Sequence, residues 1–179
     1  VNARGTAALN VLLNPGTGEL SIFGTYEIAE GDFLFSMQPI ISNKKFILQQ
    51  GGTIQFSGDP MDAMLNIEAV YRVRASLQQL ASSLQGTGIN TGTRVPVDCI
   101  VRISESLRKP NLTFDIRIPS ADADIQNVLS GALASNEDRA LNFLWLVGFG
   151  SFAPNGSTAS DTDATSAGAT LGLNFLSNQ

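Results

Sequence analysis

The stretch Leu65-Asn66-Ile67-Glu68-Ala69-Val70-Tyr71-Arg72-Val73-Arg74-Ala75-Ser76-Leu77 decides the fold. Side chains of a strand point alternately to its two faces, so residues two apart share a face. Here Leu65, Ile67, Ala69, Tyr71, Val73, Ala75 and Leu77 share one, and Asn66, Glu68, Arg72, Arg74 and Ser76 share the other, with Val70 the exception. Period-two alternation of this length marks a strand with one apolar and one wet side. Gly58-Asp59-Pro60 before it is turn chemistry.

The same period runs outward in both directions. Upstream, Ala7, Leu9, Val11 and Leu13 alternate as far as the turn Asn14-Pro15-Gly16-Thr17-Gly18. Leu20, Ile22, Tyr26 and Ile28 then alternate against Glu19, Ser21, Thr25 and Glu27. Glu30-Gly31-Asp32 reads as a further turn, leading into Phe33, Phe35 and Met37. Phe46 and Leu48 follow, then a Gly51-Gly52 break, then Ile54 and Phe56. Downstream of a Gly/Thr-rich loop, Gly86 to Thr93, come Val95, Val97, Cys99, Val101 and Ile103 against Arg94, Asp98, Arg102 and Ser104. Leu112, Phe114, Ile116 and Ile118 close the series.

The period then changes. Asp122 or Asp124 suits the N-cap of a short helix with Ile125, Val128, Leu129 and Ala132 at helical spacing. Ser135 suits the cap of a second one. Glu137 and Asp138 sit in its first turn, Leu141, Leu144, Trp145 and Val147 form its apolar side, and Gly148 or Gly150 ends it. Residues 154 to 170 are rich in Ser, Thr, Ala, Gly and Asp, a tether composition. Leu171-Gly-Leu-Asn-Phe-Leu is apolar again. The expected organisation is a β domain over 1–152, a flexible tether over 153–170, and the truncated start of a terminal apolar segment over 171–179.

Composition narrows the function. The chain has 179 residues, a net charge of −5 and eleven Lys plus Arg, too few for a phosphate-tracking stripe, so nucleic acid is not an expected partner. It has no histidine and one cysteine, which removes imidazole bases, Ser-His-Asp and Cys-His triads, and zinc sites built on His or several Cys. No metal and no cofactor is expected. Asp59 with Asp62, and Asp122 with Asp124, read as turn and cap residues rather than as a catalytic carboxylate pair. Cys99 on an apolar face reads as a small buried hydrophobe, and Trp145 as the residue docking the second helix over the sheet.

About eight strands at roughly 4.8 Å spacing make a sheet roughly 35–40 Å wide, and each helix covers a strip about 10 Å wide. Two short helices therefore cover about half of the apolar face. The rest is buried by the sheet closing on itself as a sandwich or barrel, by another domain, or by a ligand in an open apolar groove. Periodicity does not choose among these.

Several motifs in order resemble the C-terminal domain of the TamB family. They are Gly24-Thr-Tyr-Glu-Ile, Gly31-Asp-Phe, Lys45-Phe-Ile-Leu-Gln-Gln-Gly-Gly-Thr-Ile-Gln-Phe-Ser-Gly-Asp-Pro60 and Leu65-Asn-Ile-Glu-Ala-Val-Tyr71. Val95-Pro-Val, Lys109-Pro-Asn-Leu-Thr-Phe-Asp-Ile-Arg-Ile-Pro119 and Asn136-Glu-Asp-Arg-Ala-Leu-Asn-Phe-Leu-Trp-Leu-Val-Gly-Phe-Gly150 continue the likeness, which spans roughly residues 18 to 152. What the resemblance implies is a non-enzymatic translocation and assembly module, similar to AsmA-like bridge lipid-transfer proteins. Its parent would be anchored in the inner membrane of a Gram-negative bacterium, with this domain in the periplasm near the outer membrane. The implied role is outer-membrane biogenesis and protein secretion, or lipid transport. The implied partners are phospholipid or nascent outer-membrane protein, and a BamA- or TamA-like barrel.

With the surplus apolar face, the expected fold is mainly β: a single curled sheet forming a half-pipe with an apolar interior, plus two short C-terminal helices. The groove candidates are Phe33 and Phe35, then Ile54 and Phe56, then Leu65, Ile67, Ala69, Tyr71 and Val73. Val95, Val97, Val101 and Ile103 follow, with Leu112, Phe114 and Ile116. The alternative is a closed β module that only docks the barrel partner.

Overall fold

The structure is a computed structural model, and it describes residues 1–37, 41–80 and 92–154. The expected tail at 171–179, nearly all of the tether and most of the Gly86 to Thr93 loop lie outside these residues. Seven strands form one sheet: β1 (Asn2–Leu13), β2 (Leu20–Met37), β3 (Ile41–Leu48), β4 (Thr53–Gly58), β5 (Met64–Ser76), β6 (Arg94–Ser106) and β7 (Lys109–Arg117). Two helices follow, α1 (Ala123–Ala132) and α2 (Asn136–Phe149). Strand order is β1-β2-β3-β5-β6-β7, with β4 bridging β2 and β5. The path begins at β1 and ends at β7, so the sheet is not a closed barrel. The mainly β class, the single sheet and the two C-terminal helices are as the sequence leads one to expect.

One turn in the sequence reading is absent. Glu30-Gly31-Asp32 does not reverse the chain; β2 runs through it, which makes seven strands among the described residues rather than about eight. The β1–β2 register slips between Arg4 and Gly5, a bulge that absorbs one extra residue of β2. Gly31 serves close approach instead of turning: a Cβ there would lie 2.6 Å from the Asn2 carbonyl oxygen. Gly24, in mid-strand at φ +119, would press a Cβ into the Ala8 carbonyl, so only glycine fits.

The chain divides into two compact units. The first comprises residues 1–35, 45–70 and 101–113; the second comprises 36–44, 71–100 and 114–179. In the first, Ile28, Phe46, Leu48, Leu65, Ala69 and Val101 are buried. Phe46 is the centre of an aromatic cluster, with ring centroids 5.3 Å from Phe33 and 5.7 Å from Phe35. Away from it, the Leu107 N–H donates to the Ala63 carbonyl at 2.8 Å, and Arg108 binds Asp59 at 2.9 Å and Asp62 at 2.8 Å. These bonds tie the β6–β7 turn to the short helix before β5.

The second unit holds both α-helices. Asp122 caps α1, accepting from the Ile125 N–H, and Ser135 with Asp138 forms a reciprocal capping box on α2. Gly150 ends α2 in the left-handed conformation, φ 70. Ala140, Leu141, Phe143, Leu146 and Val147 are the buried apolar positions of α2. Phe143 meets the sheet, its ring 4.5 Å from that of Phe114. Trp145 is half-buried and pairs with Phe149 at 4.9 Å. Asn142, buried in the same helix, donates to the Asp138 carbonyl and accepts from the Ala153 N–H, which anchors the chain past the helix end.

Candidate functional site

Directly opposed residues of an antiparallel pair share a face. The registers therefore assemble one apolar face in the first unit. Ala7, Leu9, Val11 and Leu13 of β1 stand opposite Tyr26, Gly24, Ile22 and Leu20 of β2. The same Tyr26 and Gly24 stand opposite Ile54 and Phe56 of β4. Ile54 opposes Leu65, and Leu48 opposes Ala69.

Exposure on this face is greatest at β1. Leu48, Leu65, Ala69 and Val101 are buried. Ile54, Phe56, Ile67, Ile103 and Leu112 are half-buried, as are Phe33 and Phe35 of the aromatic cluster. At the β1 side Leu9 is 39%, Val11 56% and Leu13 66% exposed, with Leu20 beside them at 45%. No α-helix belongs to this unit among the described residues.

The remaining sequence candidates fall in the second unit, and their surroundings differ. Val97 is fully buried and Ile116 is buried, and Phe114 packs against Phe143. Val73 and Val95 are half-buried, and Gly150 approaches Val73. The Lys44 ammonium lies over the Tyr71 ring at 5.8 Å from its centroid. The candidates thus separate into a set on the first unit, where Leu65, Ala69 and Val101 are buried and the others half-buried, and a set lying with the helices in the second. Phe143 is the residue that the sequence reading passed over. Its signal was its spacing, three after Ala140 and four before Val147, on a face that also carries Leu146.

The opposite face carries the ion pairs, and in the first unit it also exposes Leu12, Phe23, Ile47 and Met64. In the first unit Arg102 meets Glu68 at 2.9 Å, and in the second Arg72 holds Asp98 through two bonds of 2.6 and 3.0 Å. The hydrogen bond to Asp98 and its charge raise the Arg72 pKa further above its usual value. Burial, and secondarily the Asp98 charge, pushes the Cys99 thiol up to about 12, so it is neutral and unreactive at physiological pH. Asp59 and Asp62 share Arg108, and Asp59 also caps the short helix by accepting from the Met61 N–H. Both are engaged as turn and ion-pair groups. A cleft of about 1020 Å³ opens where β1 begins beside β2 and β3, lined by Arg4, Glu30 and Asp32 with Ile47 and Leu48. Its polar rim sets it apart from the apolar face. Among the described residues no three His, Cys, Asp or Glu gather as a metal site, and no helix is long and apolar enough to cross a membrane.

Fold and site together define a class: a β domain built on one unclosed sheet, apolar on one face and ion-paired on the other. The sequence model of the TamB C-terminal domain family matches residues 1–179, and the chain belongs to that family. It is therefore an envelope-biogenesis domain of the translocation and assembly type, from a Gram-negative bacterium. The family consists of assembly and transport modules and works with an outer-membrane partner of the TamA type. No curated protein and no solved structure matches the chain.

Proposed function

We propose that the apolar face of the first unit holds phospholipid acyl chains, as the lipid-carrying segment of an intermembrane transport path. The observation that carries this reading is the exposure of Leu9, Val11 and Leu13, on the same face as the buried Leu65 and Ala69. A closed module that only docks a barrel partner would bury that row.

The energetics suit transport. Each methylene withdrawn from water contributes about 0.8 kcal/mol, so half-burying a chain of roughly 16 carbons gives about 6 kcal/mol. That corresponds to affinity between micromolar and millimolar. Such binding selects against water without selecting a headgroup, and it lets cargo slide. The domain acts without catalysis, in the periplasm, within a parent anchored in the inner membrane. The same face is suited to help outer-membrane proteins assemble by sheltering their apolar strand faces.

The test is mass spectrometry of lipids that co-purify with the protein, compared with Ile67→Asp. Ile67 is half-buried on this face, so the charge spoils the apolar surface without entering the closed core. Phospholipid on the wild-type protein, lost from a variant that keeps its circular dichroism, supports the reading. Equal lipid on both, or none on either, removes it.

A further inference from the structure

We propose that Arg74, Arg94 and Arg117, on the sheet face of the second unit that is turned away from α2, dock an acidic segment of another polypeptide. This goes beyond acyl-chain holding, because it uses the other unit and calls on charge rather than on apolar burial.

Alternation fixes where these arginines stand. Val73 of β5 lies beneath Gly150 at the end of α2, and Phe114 of β7 packs against Phe143 of α2. Residues one or three positions along a strand occupy its other face. Arg72, Arg74 and Arg117 therefore stand on the face away from α2. Arg94 joins them, because Arg72 binds Asp98 across the neighbouring strands β5 and β6, and Arg94 is four residues from Asp98. Arg74 in turn donates to the Arg94 carbonyl at 3.3 Å. All four arginines are exposed, and all belong to the second unit.

The charges on this face do not balance. Its carboxylates in the described part of the unit are Asp98, which Arg72 holds, and Asp115. Arg74, Arg94 and Arg117 have no ion pair among the described residues. In a chain of net charge −5, surplus cations are thus gathered on three adjacent strands, β5, β6 and β7. At strand spacing that patch is roughly 10 Å across. Asp122 and Asp138 of the same unit are engaged elsewhere, capping α1 and α2.

The pattern specifies the occupant. A guanidinium matches a carboxylate through two parallel hydrogen bonds, as Arg72 already does with Asp98. Asp98 and Asp115 stand among the arginines, so the face is a mosaic and not a uniform positive plane. A continuous anionic lipid surface would press on those two carboxylates. A polypeptide sets its charges point by point, with Asp or Glu over Arg74, Arg94 and Arg117 and neutral residues over the aspartates.

The test uses the full chain and a fluorescein-labelled peptide of about 12 residues alternating glutamate with serine, long enough to cross the three strands. Its counterpart carries glutamine in place of glutamate. Fluorescence anisotropy is read for the wild type, for Arg94→Gln/Arg117→Gln, and for Arg4→Gln/Arg139→Gln, which removes the same charge elsewhere. The expected result is saturable binding of the glutamate peptide. Exposed ion pairs are each worth a few-fold, so Arg94→Gln/Arg117→Gln weakens it roughly five- to thirtyfold, and Arg4→Gln/Arg139→Gln leaves it within about twofold. An unchanged urea midpoint confirms that the variant remains folded, and the comparison of the two peptides on the wild type stands without it. Equal binding of both peptides would overturn the proposal, as would equal loss in the two variants or no binding at all. Binding that appears only in Asp161→Asn/Asp163→Asn would assign the face to the chain's own carboxylates instead. Binding to phosphatidylglycerol vesicles that needs Arg94 and Arg117, with none to the peptide, would assign it to a membrane. Lipid loss in Ile67→Asp is read independently, so this proposal and acyl-chain holding fail separately.

Discussion

Placing aspartate at two positions on the same apolar face distinguishes an open face from a closed one. Val11 is 56% exposed and Val101 is 2% exposed. At position 11 the carboxylate stays in water. The costs are then the lost burial of a half-exposed valine and the poorer strand propensity of aspartate, together about 1 kcal/mol. At position 101 the charge enters a dry site with no partner on the apolar face, which costs more than about 4 kcal/mol and is enough to unfold a domain of ordinary stability. Urea unfolding followed by circular dichroism reads the difference. With a slope of about 1–3 kcal/mol per molar urea, Val11→Asp moves the midpoint by less than about 1 M, whereas Val101→Asp leaves little or no folded baseline. A Val11→Asp variant as destabilised as Val101→Asp would refute the assignment of β1 to an open face.

Other expectations follow from the packing and the titrating groups. Phe143→Ala, which removes the fully buried ring packed against Phe114, costs about 3–5 kcal/mol in chemical denaturation. Ser135→Ala breaks the α2 capping box and costs about 1 kcal/mol, as does Asp122→Ala at α1. Cys99 resists a thiol reagent until the protein is unfolded. Because its folded pKa is raised from 9.0 to about 12, the unfolded chain loses its proton first. Its contribution to stability is thus fully present below about pH 9 and declines by up to about 1.4 kcal/mol per pH unit between 9 and 12. Cys99→Ala removes that part of the pH dependence in a urea titration.

Local periodicity carried much of this structure. The sidedness of β5 from Leu65 to Leu77 and the caps at Asp122 and Ser135 follow from residues near one another in sequence, where alternation and capping chemistry operate. Gly31 misled because glycine serves both turns and close backbone approach, and only the neighbouring strand decides which; here it is β1, at Asn2. The difference between Ile67, half-buried, and Val97, fully buried, has the same origin. Both lie on apolar alternations of equal quality, but exposure depends on which segment, distant in sequence, packs nearby. Phe143 was hidden for a related reason: α2 is apolar around most of its circumference, so spacing alone allowed Leu144 and Trp145 in its place.

The central claim, that the apolar face of the first unit is open and occupied by lipid, is tested most directly by photocrosslinking in cells. The probe is placed in turn at Phe56, Ile67 and Ile103, with Arg72 and Arg102 on the polar face as controls. Phospholipid adducts at the first three positions and none at the two arginines are the predicted result. Adducts to outer-membrane protein alone at those positions, or no adduct at any of the five, would contradict it.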